Sequence, residues 1–243
     1  AEGEYIKLNT NENPYPPSPS ALDAMREACG EQLRKYPDPM AGECRSIVAE
    51  QLDAEPANVL CGNGSDDILN MAVRAFCGPE DVLAYPRPSY SLYSVLAHIQ
   101  GTCLRTVEFP EDYSLPRAAL VDLDPRLVMM PNPNSPSGTF VPPDKMKRLA
   151  EDLDGVLLID EAYVDFAEAD CMALALRHDN VIVTRSLSKS YSLAGLRFGY
   201  CVASERLIDG LARVKDSYNV GRVAAEGAAA ALRNREWMEE NVQ

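Results

Sequence analysis

A lysine, two serines and an arginine lie close together where one strand of the chain is expected to end. Ser186, Ser188 and Lys189 follow the apolar run 181–184, and Arg197 lies shortly after them. A partly buried lysine can act as an amine nucleophile, and hydroxyl and guanidinium groups are donors that suit a phosphate dianion. A solvated lysine, with Arg197 in a surface ion pair, is the alternative, and spacing alone leaves both open.

An acid and a glycine turn follow two other apolar runs. Asp160 comes after the run 156–159, where a carboxylate is unfavourable unless a cation or a hydrogen-bond donor pairs with it. Gly64, Ser65 and Asp66 stand where a helix should begin, and the free N–H groups of a helix N-terminus bind anions. The alternatives are a helix cap or a structural ion pair for Asp160, and a capped glycine turn for 64–66.

Asn134 and Tyr90 are two further candidates. Asn134 lies in the proline-rich segment 132–138, where its amide either bonds its own turn or faces a ligand oxygen. Tyr90 stands near a helix start, where its ring either stacks on a planar ligand or belongs to the core. Together, these groups fit an aromatic, phosphorylated, pyridinium-like aldehyde. We expect Lys189 to form an imine with it and Asp160 to pair with its ring nitrogen.

Alternating strands and helices are expected to position these residues. Apolar runs predict strands at 58–61, 81–85, 102–109, 126–130, 156–159, 181–184 and 198–202. Periodic apolar positions predict helices at 20–28, 44–52, 68–76, 90–100, 144–152, 205–214 and 223–234, with Ser20 and Asp144 as caps. This alternation is typical of an α/β fold with a mostly parallel sheet flanked by helices. Ligands of such sheets bind beyond the carboxyl ends of the strands.

The motifs resemble those of the fold-type I pyridoxal-phosphate enzymes of the class I/II aminotransferase group. The resemblance covers nearly the whole chain and rests on the segments 134–138, 160–163, 186–189 and 195–199. Within the group, the chain looks most like the histidinol-phosphate aminotransferases in the segments 8–14, 34–37, 62–67, 88–90 and 218–220. The resemblance implies the fold-type I large domain and pyridoxal 5'-phosphate as cofactor. It also implies L-histidinol phosphate as amino donor and 2-oxoglutarate as acceptor, in histidine biosynthesis.

Matched position by position, the resemblance implies a role for each candidate. Lys189 would be the Schiff-base lysine and the acid/base of the 1,3-proton shift, with Asp160 on the pyridinium nitrogen. Tyr163 and Asn134 would bond the phenolic oxygen of the ring, and Tyr90 would stack on the ring beside the substrate. The phosphate would be surrounded by Gly64, Ser65, Asp66, Ser186, Ser188 and Arg197.

The same resemblance implies a subunit partner and a domain division. Tyr36 would reach the cofactor phosphate of a neighbouring subunit, which implies a homodimer, and Asn13 would lie near the substrate. Residues 1–30 would form an N-terminal arm and first helix, and residues 31–243 the cofactor-binding large domain. We expect the small C-terminal domain of the family, roughly a hundred residues, to be absent, and its substrate-binding arginines with it.

Charge and cysteine spacing disfavour several other classes. With 23 basic and 37 acidic residues the net charge is −14, which disfavours nucleic acid and anionic membranes as partners. The seven cysteines lack a C-x-x-C spacing and the two histidines lie far apart, so we expect no metal site. The sequence contains no signal sequence and no run of about 18 apolar residues. We therefore expect a cytoplasmic protein.

Several alternatives stay open. An aromatic amino acid aminotransferase or a threonine-phosphate decarboxylase would keep the cofactor and the lysine and differ in product. A catalytically inert cofactor-binding or interaction fragment is the alternative of another class. A nucleotide-binding Rossmann protein is disfavoured, because no G-x-G-x-x-G follows the first strand.

Overall fold

The computed structural model describes Lys7 and residues 9–242 of the chain. The expected arm 1–30 and the motif 8–14 therefore fall partly outside the described residues. The strands are β1 (Val59–Gly62), β2 (Val82–Arg87), β3 (Cys103–Glu108), β4 (Leu127–Pro131), β5 (Val156–Asp160), β6 (Val181–Ser186) and β7 (Gly199–Ala203). The α-helices are α1 (Pro19–Ala28), α2 (Gly42–Gln51), α3 (Ser65–Phe76), α4 (Leu92–Gln100), α5 (Arg117–Val121), α6 (Pro143–Asp152), α7 (Met172–Arg177), α8 (Glu205–Val214), α9 (Arg222–Arg233) and α10 (Arg235–Val242).

The strands form one seven-stranded sheet in the order β1-β7-β6-β5-β4-β2-β3. Strands β2 to β6 pair in parallel, while β7 runs antiparallel to both of its neighbours, β1 and β6. The predicted α/β fold with a mostly parallel sheet flanked by helices is confirmed. The parallel strands β4, β5 and β6 end side by side, which brings the loops that follow them to one edge of the sheet.

The central strands are apolar along their length because helices cover both faces of the sheet. Successive residues of β4 alternate between two hydrophobic cores: Val128 and Met130 belong to one, and Leu127 and Met129 to the other. Helices α2, α6, α7 and α9 contribute to the first core, and α3, α4 and α8 to the second. Both cores hold the sheet rigid beneath its carboxyl edge.

Several predicted boundaries differ from the structure. Ser18, and not Ser20, caps α1: its hydroxyl accepts the N–H of Ala21 at 3.3 Å, since Pro19 fits the first helical position. Asp144 is not a cap but lies in the first turn of α6, which begins at Pro143. Helix α4 begins at Leu92, so residue 90 precedes it. Helices α5 and α7 were not predicted.

The helices of the described residues include none long and apolar enough to cross a membrane.

Candidate active site

A cavity of about 340 Å³ lies at the carboxyl ends of the strands. Among the residues that line it are nine of those singled out from the sequence: Ser65, Asp66, Tyr90, Asp160, Tyr163, Ser186, Ser188, Lys189 and Arg197. They come from segments far apart in the chain, and the parallel strands bring them together. The arm residues Asn9, Thr10 and Asn11 line the same cavity.

Lys189 follows β6 and points into the cavity beneath the arm. Its Nζ donates to the carbonyl of Thr10 at 2.9 Å and lies 5.3 Å from the ring centre of Tyr163. Its own carbonyl accepts the side-chain amide of Asn13 at 3.0 Å. Asn13 therefore fixes the lysine backbone from the arm and does not line the cavity.

The last residue of β5, Asp160, is a buried acid at the floor of the cavity. Its Oδ2 accepts the hydroxyl of Tyr93 at 3.0 Å, and its Oδ1 accepts the N–H of Ala162 at 3.2 Å. Burial raises the pKa of Asp160 to about 6, against the lowering effect of these two donors. Among the ion pairs of the described residues, none involves Asp160. A buried carboxylate with two hydrogen-bond donors and no ion pair is suited to a cationic ligand atom.

Sequence reasoning missed Tyr93. The available signal was its place three residues after Tyr90 at a helix start, since that spacing puts two side chains on one face. In the structure Tyr93 is fully buried, and its ring meets that of Tyr90 edge-on, with centres 5.7 Å apart.

A cluster of hydroxyl and guanidinium donors also lines the cavity. Ser186 and Ser188 join through their hydroxyls at 2.8 Å, and Ser65 begins α3. The guanidinium of Arg197 is held by Asp66 at 2.9 Å. A side chain at Gly64, which has a φ of +84°, would place its Cβ 2.7 Å from the Arg197 Nη2. The positive φ favours glycine at this position, whereas the Arg197 Nη2 is the end of a flexible side chain that can shift aside.

A second glycine lets the turn that carries Ser65 approach the end of β6, which carries Ser186. Gly199 in β7 pairs with Gly62 on one side and with Ser186 on the other. A Cβ at Gly199 would lie 2.5 Å from the backbone nitrogen of Ser65 and 2.8 Å from the carbonyl oxygen of Arg185. The donor cluster depends on this contact of three backbones.

Asn134, Tyr36 and Gly64 are predicted site residues that do not line the cavity. Asn134 is buried, and its amide donates to the Ser137 hydroxyl at 2.7 Å and the Pro88 carbonyl at 3.2 Å. It bonds its own turn, as the alternative for this segment expects. Tyr36 is 76% exposed, and its ring stacks on that of Tyr218 with centres 4.4 Å apart. The ligand roles assigned to these residues stay predictions.

A buried ion pair joins the carboxyl ends of β5 and β6. Glu161 follows β5, and its Oε2 lies 3.0 Å from both Nε and Nη2 of Arg185 in β6. Its Oε1 accepts the N–H of Cys171 at 2.5 Å. Burial raises the pKa of Glu161 to about 7, although Arg185 lowers it. Burial lowers the pKa of Arg185, but Tyr200 and Glu161 outweigh this and the net direction is upward.

The chain matches the family described as aminotransferase class I and II over residues 3–243. It is 47% identical over 229 residues to histidinol-phosphate aminotransferase 1 of Trichormus variabilis, covering 94% of this chain and 65% of that protein. With the histidinol-phosphate aminotransferase of Rhodopirellula baltica it shares 46% identity over 238 residues, covering 97% of this chain and 66% of that one.

Its fold is similar to the crystal structure of histidinol-phosphate aminotransferase from Sinorhizobium meliloti in complex with pyridoxal-5'-phosphate. The TM-score is 0.90 at 28% identity, over 96% of this chain and 65% of that one. The chain thus spans 65% to 66% of the length of these relatives. Since the family matches almost every residue and the predicted motifs lie within the match, the chain belongs to the class I and II aminotransferases.

Proposed function

We propose that this chain is the cofactor-binding part of a pyridoxal-phosphate-dependent histidinol-phosphate aminotransferase. The reaction would transfer the amino group of L-histidinol phosphate to 2-oxoglutarate in histidine biosynthesis. The observation that carries the proposal is a single cavity holding the Lys189 amine, the buried Asp160 carboxylate and a cluster of phosphate donors. The names of the relatives at 46% and 47% identity support the choice of substrate.

The residues present fit pyridoxal 5'-phosphate. Asp160 is a buried carboxylate without a cation, which suits a protonated pyridine nitrogen. The serines and Arg197 suit a phosphate dianion, and the N-terminus of α3 adds backbone N–H groups. The bare backbone at Gly199 lets the turn of Gly64 and Ser65 pack against the backbone of Arg185, which brings the donors of this cluster together.

Each lining residue would then have one task. Asp160 would hold a proton on the ring nitrogen, and Tyr163 would donate its hydroxyl to the ring oxygen. Tyr90 would lie against the ring face. When bound, the cofactor supplies an electron sink that stabilises a carbanion at the α-carbon of the substrate. Asp160 keeps that sink effective, because a buried carboxylate favours the charged ring nitrogen.

Lys189 would serve twice. The Lys189 amine would hold the cofactor, and the same amine would be the base that moves the proton at the substrate α-carbon. In the structure its Nζ donates to the carbonyl of Thr10. The arm residues 9–11 over the cavity would exclude water from this proton transfer.

The remaining assignments extend the same proposal. Residues 31–243 would form the cofactor-binding domain, and residues 1–30 an N-terminal arm and first helix, with Asn13 near the substrate. Tyr36, with its exposed ring, would reach the phosphate of a second subunit in a homodimer. We propose a cytoplasmic location on the ground that the named relatives are biosynthetic enzymes.

Absorption spectra of the purified chain with pyridoxal 5'-phosphate, before and after borohydride, test the cofactor assignment. Mass spectrometry then locates the reduced adduct. We expect a stable adduct on Lys189, its loss in Lys189→Ala and no change in the control Lys147→Ala. Adducts scattered over surface lysines, with Lys189 unmodified, would contradict the proposal.

The substrate is tested by identifying the reaction products that the chain forms. The full-length relatives, assayed in the same way, serve as the reference. With L-histidinol phosphate and 2-oxoglutarate, glutamate formation supports the proposal. Turnover of aromatic amino acids alone would indicate an aromatic aminotransferase, and carbon dioxide from threonine phosphate would indicate the decarboxylase. Cofactor binding without any turnover would indicate the inert binding fragment.

A further inference from the structure

The hydroxyl of Tyr93 is a buried donor that no assignment above uses. Tyr93 lies in the first turn of α4 and is 0% exposed. Its Oη lies 3.0 Å from Oδ2 of Asp160, which is also buried. Burial and the Asp160 carboxylate raise the pKa of Tyr93 well above its ordinary value, so its hydroxyl keeps its proton and donates.

Two other tyrosines fix the direction of this hydroxyl. The ring of Tyr93 meets Tyr85 at 5.5 Å and 70°, and Tyr90 at 5.7 Å and 87°. Both contacts have the edge-on geometry that aromatic rings favour. Because Tyr93 is held on two sides and fully buried, rotation of its ring away from Asp160 would require the core to open.

We propose that Tyr93 is a positioning residue, whose hydroxyl fixes one carboxylate oxygen of Asp160 and leaves the other side of that carboxylate facing the cavity. The inference rests on the proposed function in so far as Asp160 is to meet a ring nitrogen there. A carboxylate held at one oxygen by Tyr93 and at the other by the N–H of Ala162 has a fixed plane. Its remaining lone pairs face the cavity that Asp160 lines.

The hydrogen bond from Tyr93 can be measured through its effect on the pKa of Asp160, once the other charged and titratable groups nearby are taken into account. Desolvation is the largest cause that raises the pKa of Asp160, and the negative charge of Asp66 adds to it. Tyr93 gives the largest lowering effect, ahead of the Ala162 N–H. The other titratable groups that line the cavity with Asp160 are Tyr90, Tyr163, Lys189 and Arg197. Removal of the Tyr93 hydroxyl leaves all of these in place.

The test is a carbon-13 NMR titration of the Asp160 carboxyl in the chain without cofactor. Tyr93→Phe removes the hydroxyl and keeps the ring. Tyr85→Phe is the matched control, because it removes a hydroxyl from the same aromatic cluster without touching Asp160. Asp160→Asn identifies the signal. We expect the Asp160 midpoint to rise by about one pH unit in Tyr93→Phe, since a donor to the charged form is lost, and to stay unchanged in Tyr85→Phe.

A Tyr93→Phe titration that coincides with that of the unaltered chain would overturn the proposal. If Tyr93→Phe fails to fold, the hydrogen bond is measured in the unaltered chain, as a hydrogen–deuterium isotope shift on the Asp160 carboxyl carbon. Absence of that shift would overturn the proposal as well. Failure of the unaltered chain to bind pyridoxal 5'-phosphate would instead count against the proposed function, because the titration needs no cofactor.

Discussion

Loss of the buried ion pair between Glu161 and Arg185 should lower the unfolding free energy by an amount that depends on pH. Arg185→Met replaces the guanidinium side chain by a shorter, unbranched apolar one and leaves Glu161, whose side chain is 0% exposed, without its cation. The partly exposed Asp170 also loses its contact with Arg185, at 2.9 Å. The remaining donor to Glu161 is the N–H of Cys171.

The magnitude follows from the protonation state of Glu161. At about pH 8 the carboxylate is left buried and unpaired, and loss of one partner of such a pair costs about 3–5 kcal/mol of unfolding free energy. At about pH 5.5, below the raised pKa of about 7, Glu161 is neutral in both proteins. The loss should then be nearer 1–2 kcal/mol, the cost of a broken hydrogen bond. In the unaltered chain Glu161 loses its proton near pH 7, so the two folded proteins differ by one proton only between about pH 7 and about pH 8. That interval accounts for about 1.4 kcal/mol, so the loss at about pH 8 should lie near 3 kcal/mol, at the low end of its range.

Urea unfolding at both pH values, followed by circular dichroism, measures the effect. The matched control is Lys147→Met, which breaks an exposed i,i+4 pair with Glu151 and should cost about 0.5 kcal/mol or less at either pH. The double variant Glu161→Gln/Arg185→Met should lose less than Arg185→Met alone at about pH 8, because the buried charge is gone. An Arg185→Met loss below about 1 kcal/mol, or one independent of pH, would refute this reasoning.

Three further predictions concern the acids, a glycine and the arm. The unfolding free energy of the unaltered chain should fall as the pH rises from about 4 to about 7. The reason is that burial raises the pKa of Asp160 from 3.8 to about 6 and that of Glu161 from 4.5 to about 7. Urea midpoints that rise over this range would contradict the prediction. Gly199→Ala would place a Cβ 2.5 Å from the backbone nitrogen of Ser65, the first residue of α3. The unfolding free energy should therefore fall by about 1–3 kcal/mol or more. The control Gly195→Ala has open space around its Cβ and should leave the unfolding free energy unchanged. Asn13→Ala removes the amide that holds the arm to the loop after β6, so hydrogen exchange at 9–13 should quicken about fivefold; equal exchange rates would mean that the arm is held by its other contacts.

The sequence predicts the strand ends of the site well. The runs 156–159 and 181–183 are continuously apolar because helices cover both faces of the sheet. Polar residues that follow such runs are expected at its carboxyl edge, which predicts the placement of Asp160 and of the segment that carries Lys189. The parallel pairing of β5 with β6, which the pattern does not encode, then brings both residues to one cavity.

Side-chain direction and strand direction are harder to predict. Periodicity does not distinguish a parallel from an antiparallel strand, so β7 reads like its neighbours although it runs the other way. The contact of Tyr93 with Asp160 depends on the rotation of α4 against β5, which no local pattern encodes. Helices α5 and α7 span five and six residues, too short for a helical period to be evident.

The pairing of Gly199 with both Gly62 and Ser186 has a consequence for the order of events during synthesis. In the described part of the chain, β1 lies at the edge of the sheet and pairs with β7 alone. Strand β1 can therefore pair only when β7 has left the ribosome, on the order of 140 residues later. At usual elongation rates this is a delay of roughly 7–30 s. The long loop costs little entropy to close once β7 has emerged, but the cluster of hydroxyl and guanidinium donors is assembled only after it. Under the proposed function, the nascent chain could therefore bind the cofactor phosphate only once β7 has joined the sheet.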